Sequence, residues 1–119
     1  MDLEAAIAYW HTTDHPEKWA HILQLYNKLL TVEYSPVIAL NRTYALAKSD
    51  SIDQAIYEAS KLDLKDYHLY YCLIAELYKM KKDFDLEIAH LEKALILAKK
   101  SIDKEIIHQK LNMANSMKN

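Results

Sequence analysis

Apolar positions recur as paired helical stripes along a chain of 119 residues that contains no glycine. Trp19, Ile52 and Phe84 stand 33 and 32 residues apart, and the sets Ile22, Ala55, Glu87 and Tyr26, Ala59, Leu91 keep the same steps. A period of this length holding two helices per unit constrains the fold severely. One such unit cannot bury its apolar face alone and has to stack on its neighbours. Stacked units present extended surfaces, so binding rather than chemistry is the expected function.

The 3.6-residue pattern predicts seven helices in an all-α, tetratricopeptide-like stack of antiparallel pairs closed by a C-terminal capping helix, with residues 1–119 as a single helical-repeat domain. The first helix runs from about Leu3 to Thr12. Asp14, with Glu17 three residues on, is the expected cap of the second, which carries Trp19, Ile22, Leu23, Tyr26, Leu29 and Leu30 on one face. Ser35-Pro36 opens the third helix, with a cap hydroxyl followed by proline at a position where its missing N–H costs nothing. Ser51 with Gln54 forms a capping box for the fourth. Asp66 precedes the fifth, Asp83 the sixth and Ser101 the seventh, whose packing face is read as Ile102, Ile106, Gln109 and Met113. The clearest pair places Tyr71, Ile74, Ala75 and Tyr78 against Phe84, Ile88, Leu91 and Leu95, with small Ala75 at the close approach. The pair containing Thr43, Leu46, Ile52, Ala55, Ala59 and Leu62 is a weaker copy. The first pair is looser still.

Composition narrows the function classes. An apolar fraction of 51% with 27% charged residues suits a folded domain. No run approaches the roughly 18 apolar residues of a membrane span, and no basic-then-apolar leader opens the chain. The lone Cys72 has no disulfide partner and reads as a buried, inert thiol. A cytoplasmic protein with no membrane contact is expected. Net charge is −2, divided as −4 over residues 1–66 and +2 over 67–119. Neither part makes the basic field that nucleic acid demands. The cluster Lys79, Lys81, Lys82 reads as a helix C-terminus, where cations meet the negative end of the dipole.

The run Tyr34-Ser35-Pro36-Val37-Ile38-Ala39-Leu40-Asn41-Arg42 is more specific than the repeat. It resembles the Ser-Pro-Val-x-x-Leu-Asn-Arg segment in the C-terminal extension of one group of bacterial extracytoplasmic-function (ECF) RNA polymerase sigma factors. Other pieces agree in order. Leu3-Glu4-Ala5-Ala6-Ile7-Ala8 resembles that extension's opening helix. Trp19 with Ile22, Leu25 and Tyr26 resembles its Trp-x-x-Ile-x-x-Leu-Tyr stretch. Tyr67-His68-Leu69 resembles the start of its next repeat, and Ile106-Ile107-His108-Gln109-Lys110-Leu111 its Phe-Leu-x-x-Arg ending. The resemblance covers nearly the whole chain. Where the family places glycine, Ser49-Asp50-Ser51 and Lys82-Asp83 stand here. The family's promoter-reading and polymerase-binding regions lie upstream of this extension, and nothing in the chain resembles them, so either an excised domain or a stand-alone relic is expected.

The resemblance implies a regulatory tail acting in transcription initiation, modulating sigma activity in cis in the role that a separate anti-sigma protein plays elsewhere. Its partners would be the sigma core regions of the same chain, RNA polymerase or an unknown regulator, and DNA would be met only through regions absent from this chain. The alternative is an independent adaptor that holds a peptide or protein in its concave face. A metal-dependent hydrolase is the weakest of the three readings.

Asn41 and Arg42 are the sharpest individual residues, placed mid-helix among apolar neighbours. A sunken arginine needs a carboxylate or several carbonyls. It is read as a strut pairing with Asp63, Asp66 or Glu76, in preference to an anchor for a partner's acidic side chain. His11 and His15 are four apart, but Asp14 and Pro16 break the helix between them, and no Cys/His set has zinc spacing. His68 and His90 read as cap or surface groups, and Glu87 and Glu92 as members of a charged face. With no nucleophile triad, no glycine phosphate cradle and no His-Glu-x-x-His, no catalytic, cofactor or metal residue is assigned. Tyr9, Tyr26, Tyr44, Tyr71 and Tyr78 are expected on packing faces. Tyr57, Tyr67 and Tyr70 are the candidates for exposure.

Overall fold

The computed structural model describes residues 2–119, and these form seven α-helices with no strand. They cluster as two compact units, Met1–Asp63 and Leu64–Asn119.

The first unit holds α1 (Leu3–His11), α2 (Lys18–Val32), α3 (Pro36–Ser49) and α4 (Ile52–Ser60), each packed on the next. Three of these helices start on a side-chain oxygen. Asp2 accepts the Ala5 N–H at 2.7 Å, Ser35 the Ile38 N–H at 3.4 Å and Ser51 the Gln54 N–H at 3.1 Å. Pro36 sits at the first position of α3, as expected. The Ser51 box is half made. The Gln54 amide donates forward to Glu58, while the Ser51 N–H is already held by the Leu46 carbonyl.

The start of α2 corrects the sequence reading. Asp14 is exposed and does not cap; Glu17 takes the cap position without a side-chain bond. Pro16 has no N–H for a cap to receive. The Glu17 N–H instead donates to His15 Nδ1 at 3.1 Å, and Lys18 Nζ donates to the Thr13 carbonyl. The unit's core is Ile7, Ile22, Leu23, Leu29, Leu40, Leu46 and the alanines of α3 and α4. Trp19 joins three helices at its edge, lying 5.4 Å from the His11 ring and 5.3 Å from the Tyr44 ring. Tyr26 and Tyr44 are half-buried, as a packing face requires, but Tyr9 is exposed.

The second unit holds α5 (His68–Met80), α6 (Phe84–Leu97) and α7 (Ser101–Lys118), with α6 packed against both neighbours. Neither Asp66 nor Ser101 is a cap: Tyr67 and Lys100 hold those positions with no side-chain bond. Ala75, Leu91, Ala94, Ala98, Ile107 and Ala114 form the core, with Tyr71, Ile88, Leu95 and Leu111 packed around it. Tyr70 is buried, against expectation.

The face of α7 differs from the one read from sequence. Ile102, Ile106, Gln109 and Met113 are exposed, Met113 at the rim of a cavity, and Ile107, Leu111 and Ala114 make the packing stripe. Two apolar stripes share this helix, about 100° apart. Ala114 of the second stripe belongs to the same buried core as Ala94 and Ala98.

Between α5 and α6 the chain turns on Lys82, whose φ is 64°. The Lys82 N–H donates to the Lys79 carbonyl and the Asp83 N–H to the Tyr78 carbonyl, both at 2.9 Å, a complete Schellman closure. Asp83 then caps α6 by accepting the Leu86 N–H at 3.2 Å. The lysine cluster thus marks a helix end. The other glycine substitute, around Asp50, turns with φ at −125° and needs no left-handed residue.

Candidate functional site

The motif residues of the first unit converge on Arg42. Leu40 and Thr43 are buried beneath it on α3, while Asn41 faces solvent. The Arg42 Nε–H donates to Asn27 Oδ1 of α2 at 2.6 Å, and its NH1 group meets Glu58 Oε1 of α4 at 2.8 Å. Arg42 therefore ties three helices together. The expected carboxylates Asp63, Asp66 and Glu76 are not its partners. Glu58 lies one helix away within the same unit, where the fork geometry of guanidinium serves a carboxylate and an amide at once. Arg42, Asn27 and Glu58, with Tyr34 and Leu62, also line an open cleft of about 300 Å³.

Tyr67 and His68, the second motif, stand at the start of α5. The ring of Tyr67 lies edge-on to His68 at 5.8 Å, and His68 Nε2 lies 3.7 Å from Asp103 Oδ2 on α7. His90 is neither a cap nor a bare surface group. Its Nδ1 lies 2.8 Å from the Leu86 carbonyl, and its ring stacks on Tyr78 at 5.2 Å and Tyr71 at 6.3 Å. Lys93 Nζ lies over the Tyr71 ring, 5.6 Å from its centroid.

Glu87 overturns its sequence reading. It does not belong to a charged face: it is only 5% exposed, and its Oε1 is buried with no hydrogen-bond partner among the described residues. Burial pushes its pKa up from the ordinary value of 4.5, with Glu76 adding to the rise and Lys79 and Lys110 opposing it. It lines a cavity of about 230 Å³ bounded by α5, α6 and α7. The spacing Phe84, Glu87, Leu91, Ala94 carried the signal, since it places Glu87 on the buried stripe. Cys72 lines the same cavity and is half-buried rather than fully enclosed; burial raises its thiol pKa, and nearby Lys110 opposes the rise. Ala75 and Leu91 are buried as expected, and Phe84, Tyr71 and Tyr78 are half-buried.

Among the described residues, no helix is long and apolar enough to cross a membrane. Compared with protein-family models and with curated proteins, the chain matches none.

Proposed function

We propose that this chain is a tetratricopeptide-like, C-terminal protein-interaction domain of an ECF-type sigma factor, acting in bacterial transcription initiation by contact with the sigma core or with RNA polymerase. The observation that carries the reading is the motif run from Ser35 to Arg42. Ser35 caps α3, Pro36 occupies its first turn, Leu40 enters the core and Arg42 braces α2 and α4. A motif of this kind preserves a scaffold, which agrees with a regulatory module whose output is contact rather than catalysis. Helices packed on their chain neighbours within each unit are consistent with the repeat architecture.

The test is immunoprecipitation from the source cells with an antibody raised against this domain. The expected product is a chain well above 13.9 kDa that brings down core RNA polymerase. A band at 13.9 kDa without polymerase would overturn the sigma-factor reading and leave a free adaptor in its place.

A further inference from the structure

The cavity of the second unit has walls of unlike chemistry. Phe84 and Leu91 of α6, Ala75 of α5, and Met113 and Met117 of α7 make it apolar. Into this surface Glu87 brings a carboxylate oxygen that receives no donor among the described residues. A buried acceptor left unmet is costly, and native structures rarely keep one that nothing serves. Around the same cavity stand Lys79, Lys82 and Lys110, all exposed, with half-buried Glu76.

Each property limits what fits. An apolar cavity of about 150 Å³ accepts benzene, so the roughly 230 Å³ here suits a two-ring system. The occupant must bring a hydrogen-bond donor on an otherwise apolar body. Indole does so with a single N–H and no acceptor of its own to leave unmet. A cationic occupant would meet three lysines on entry, whereas acidic neighbours would be drawn to them. The two methionines are exposed and unbranched, and so can close over a ring of imperfect fit.

The geometry points to a binding site for a tryptophan side chain carried on an acidic segment of a partner protein. The indole fills the cavity, its N–H donates to Glu87 Oε1, and flanking carboxylates meet Lys79, Lys82 and Lys110. This assignment rests on the cavity alone and stands whether or not the chain belongs to a sigma factor.

The test uses the whole 119-residue chain with labelled methionine methyls. It is titrated with acetyl-Asp-Glu-Trp-Glu-Asp-amide and with the same peptide carrying Phe or Arg in place of Trp. The Trp peptide is expected to shift the Met113 and Met117 methyls saturably and to bind about tenfold more tightly than the Phe peptide. Glu87→Leu, checked for fold by its thermal melt, should bring the Trp and Phe peptides to equal affinity. Glu87→Gln, which keeps an acceptor, should retain part of the preference. The proposal is overturned if the Trp peptide leaves both methyls unmoved, if Phe or Arg binds as well as Trp, or if the preference survives Glu87→Leu.

Discussion

Arg42 and Glu58, sixteen residues apart in sequence, meet at 2.8 Å across the α3–α4 contact, while the remaining edge of the guanidinium holds Asn27 on α2. The side chains of the ion pair are 21% and 32% exposed, so water weakens the attraction without abolishing it. The contribution comes from holding three helices in one geometry.

Arg42→Ala is therefore expected to destabilise the first unit by about 1 kcal/mol, since it removes both ties of the guanidinium while Glu58 keeps the Gln54 amide and water. Arg42→Lys should recover less than half of this, because an ammonium cannot serve both partners in a plane. Urea titrations of the two variants check this. An Arg42→Ala protein with unchanged midpoint but lost partner binding would identify the residue as an anchor instead of a strut.

Glu87 gives stability a pH dependence of unusual sign. Its folded pKa lies above its unfolded one, so the folded state holds its proton more tightly. Stability from this group is greatest below about pH 4.5, the unfolded value, and falls as pH rises through the raised folded value. Glu87→Gln should flatten that decline. Glu87→Leu should stabilise the protein by about 1 kcal/mol at neutral pH, because it removes a buried acceptor that no donor among the described residues serves. Thermal melts from pH 4 to 8, compared across the three proteins, decide the matter. A wild-type curve that rises relative to Glu87→Gln over this range would refute the argument.

The two apolar stripes of α7 separate cleanly by mutation. Ile107 is 1% exposed, and Ile107→Ala should cost about 3 kcal/mol. Ile106→Lys, one residue away and facing solvent, should stay within about 0.5 kcal/mol of wild type. Equal losses in a denaturant series would restore the face read from sequence.

Much of this architecture was legible beforehand, and the reasons for the misses are physical. Side-chain caps are local, and Ser35, Ser51 and Asp83 declare themselves within four residues. Asp14 failed because Pro16 deletes a donor and His15 supplies the missing acceptor. The face of α7 could not be chosen from periodicity, since Ile102–Ile106–Met113 and Ile107–Leu111–Ala114 both fit a helix. Only contact with the alanines of α6 selects between them. Glu87 was misread because charge ordinarily outweighs position in deciding what is buried. The partner of Arg42 was misread because several carboxylates lay within reach in sequence and only packing singles out Glu58.

Lys82 carries a backbone conformation that a Cβ disfavours, with φ at 64°. Lys82→Gly should stabilise the second unit by about 0.5–1 kcal/mol, the relief of the left-handed strain less the added freedom of the unfolded chain. A raised melting temperature with an unchanged helical spectrum is the expected result. A lowered one would mean that the lysine side chain contributes more at the helix end than its backbone costs.

Asp83 belongs to two helices at once, since its N–H closes α5 and its carboxylate opens α6. No residue separates the closing bond of α5 from the opening bond of α6, so the two helix ends are expected to fray together. The turn works as a shared latch, and any partner that steadies Lys79 or Lys82 would slow the opening of both helices together.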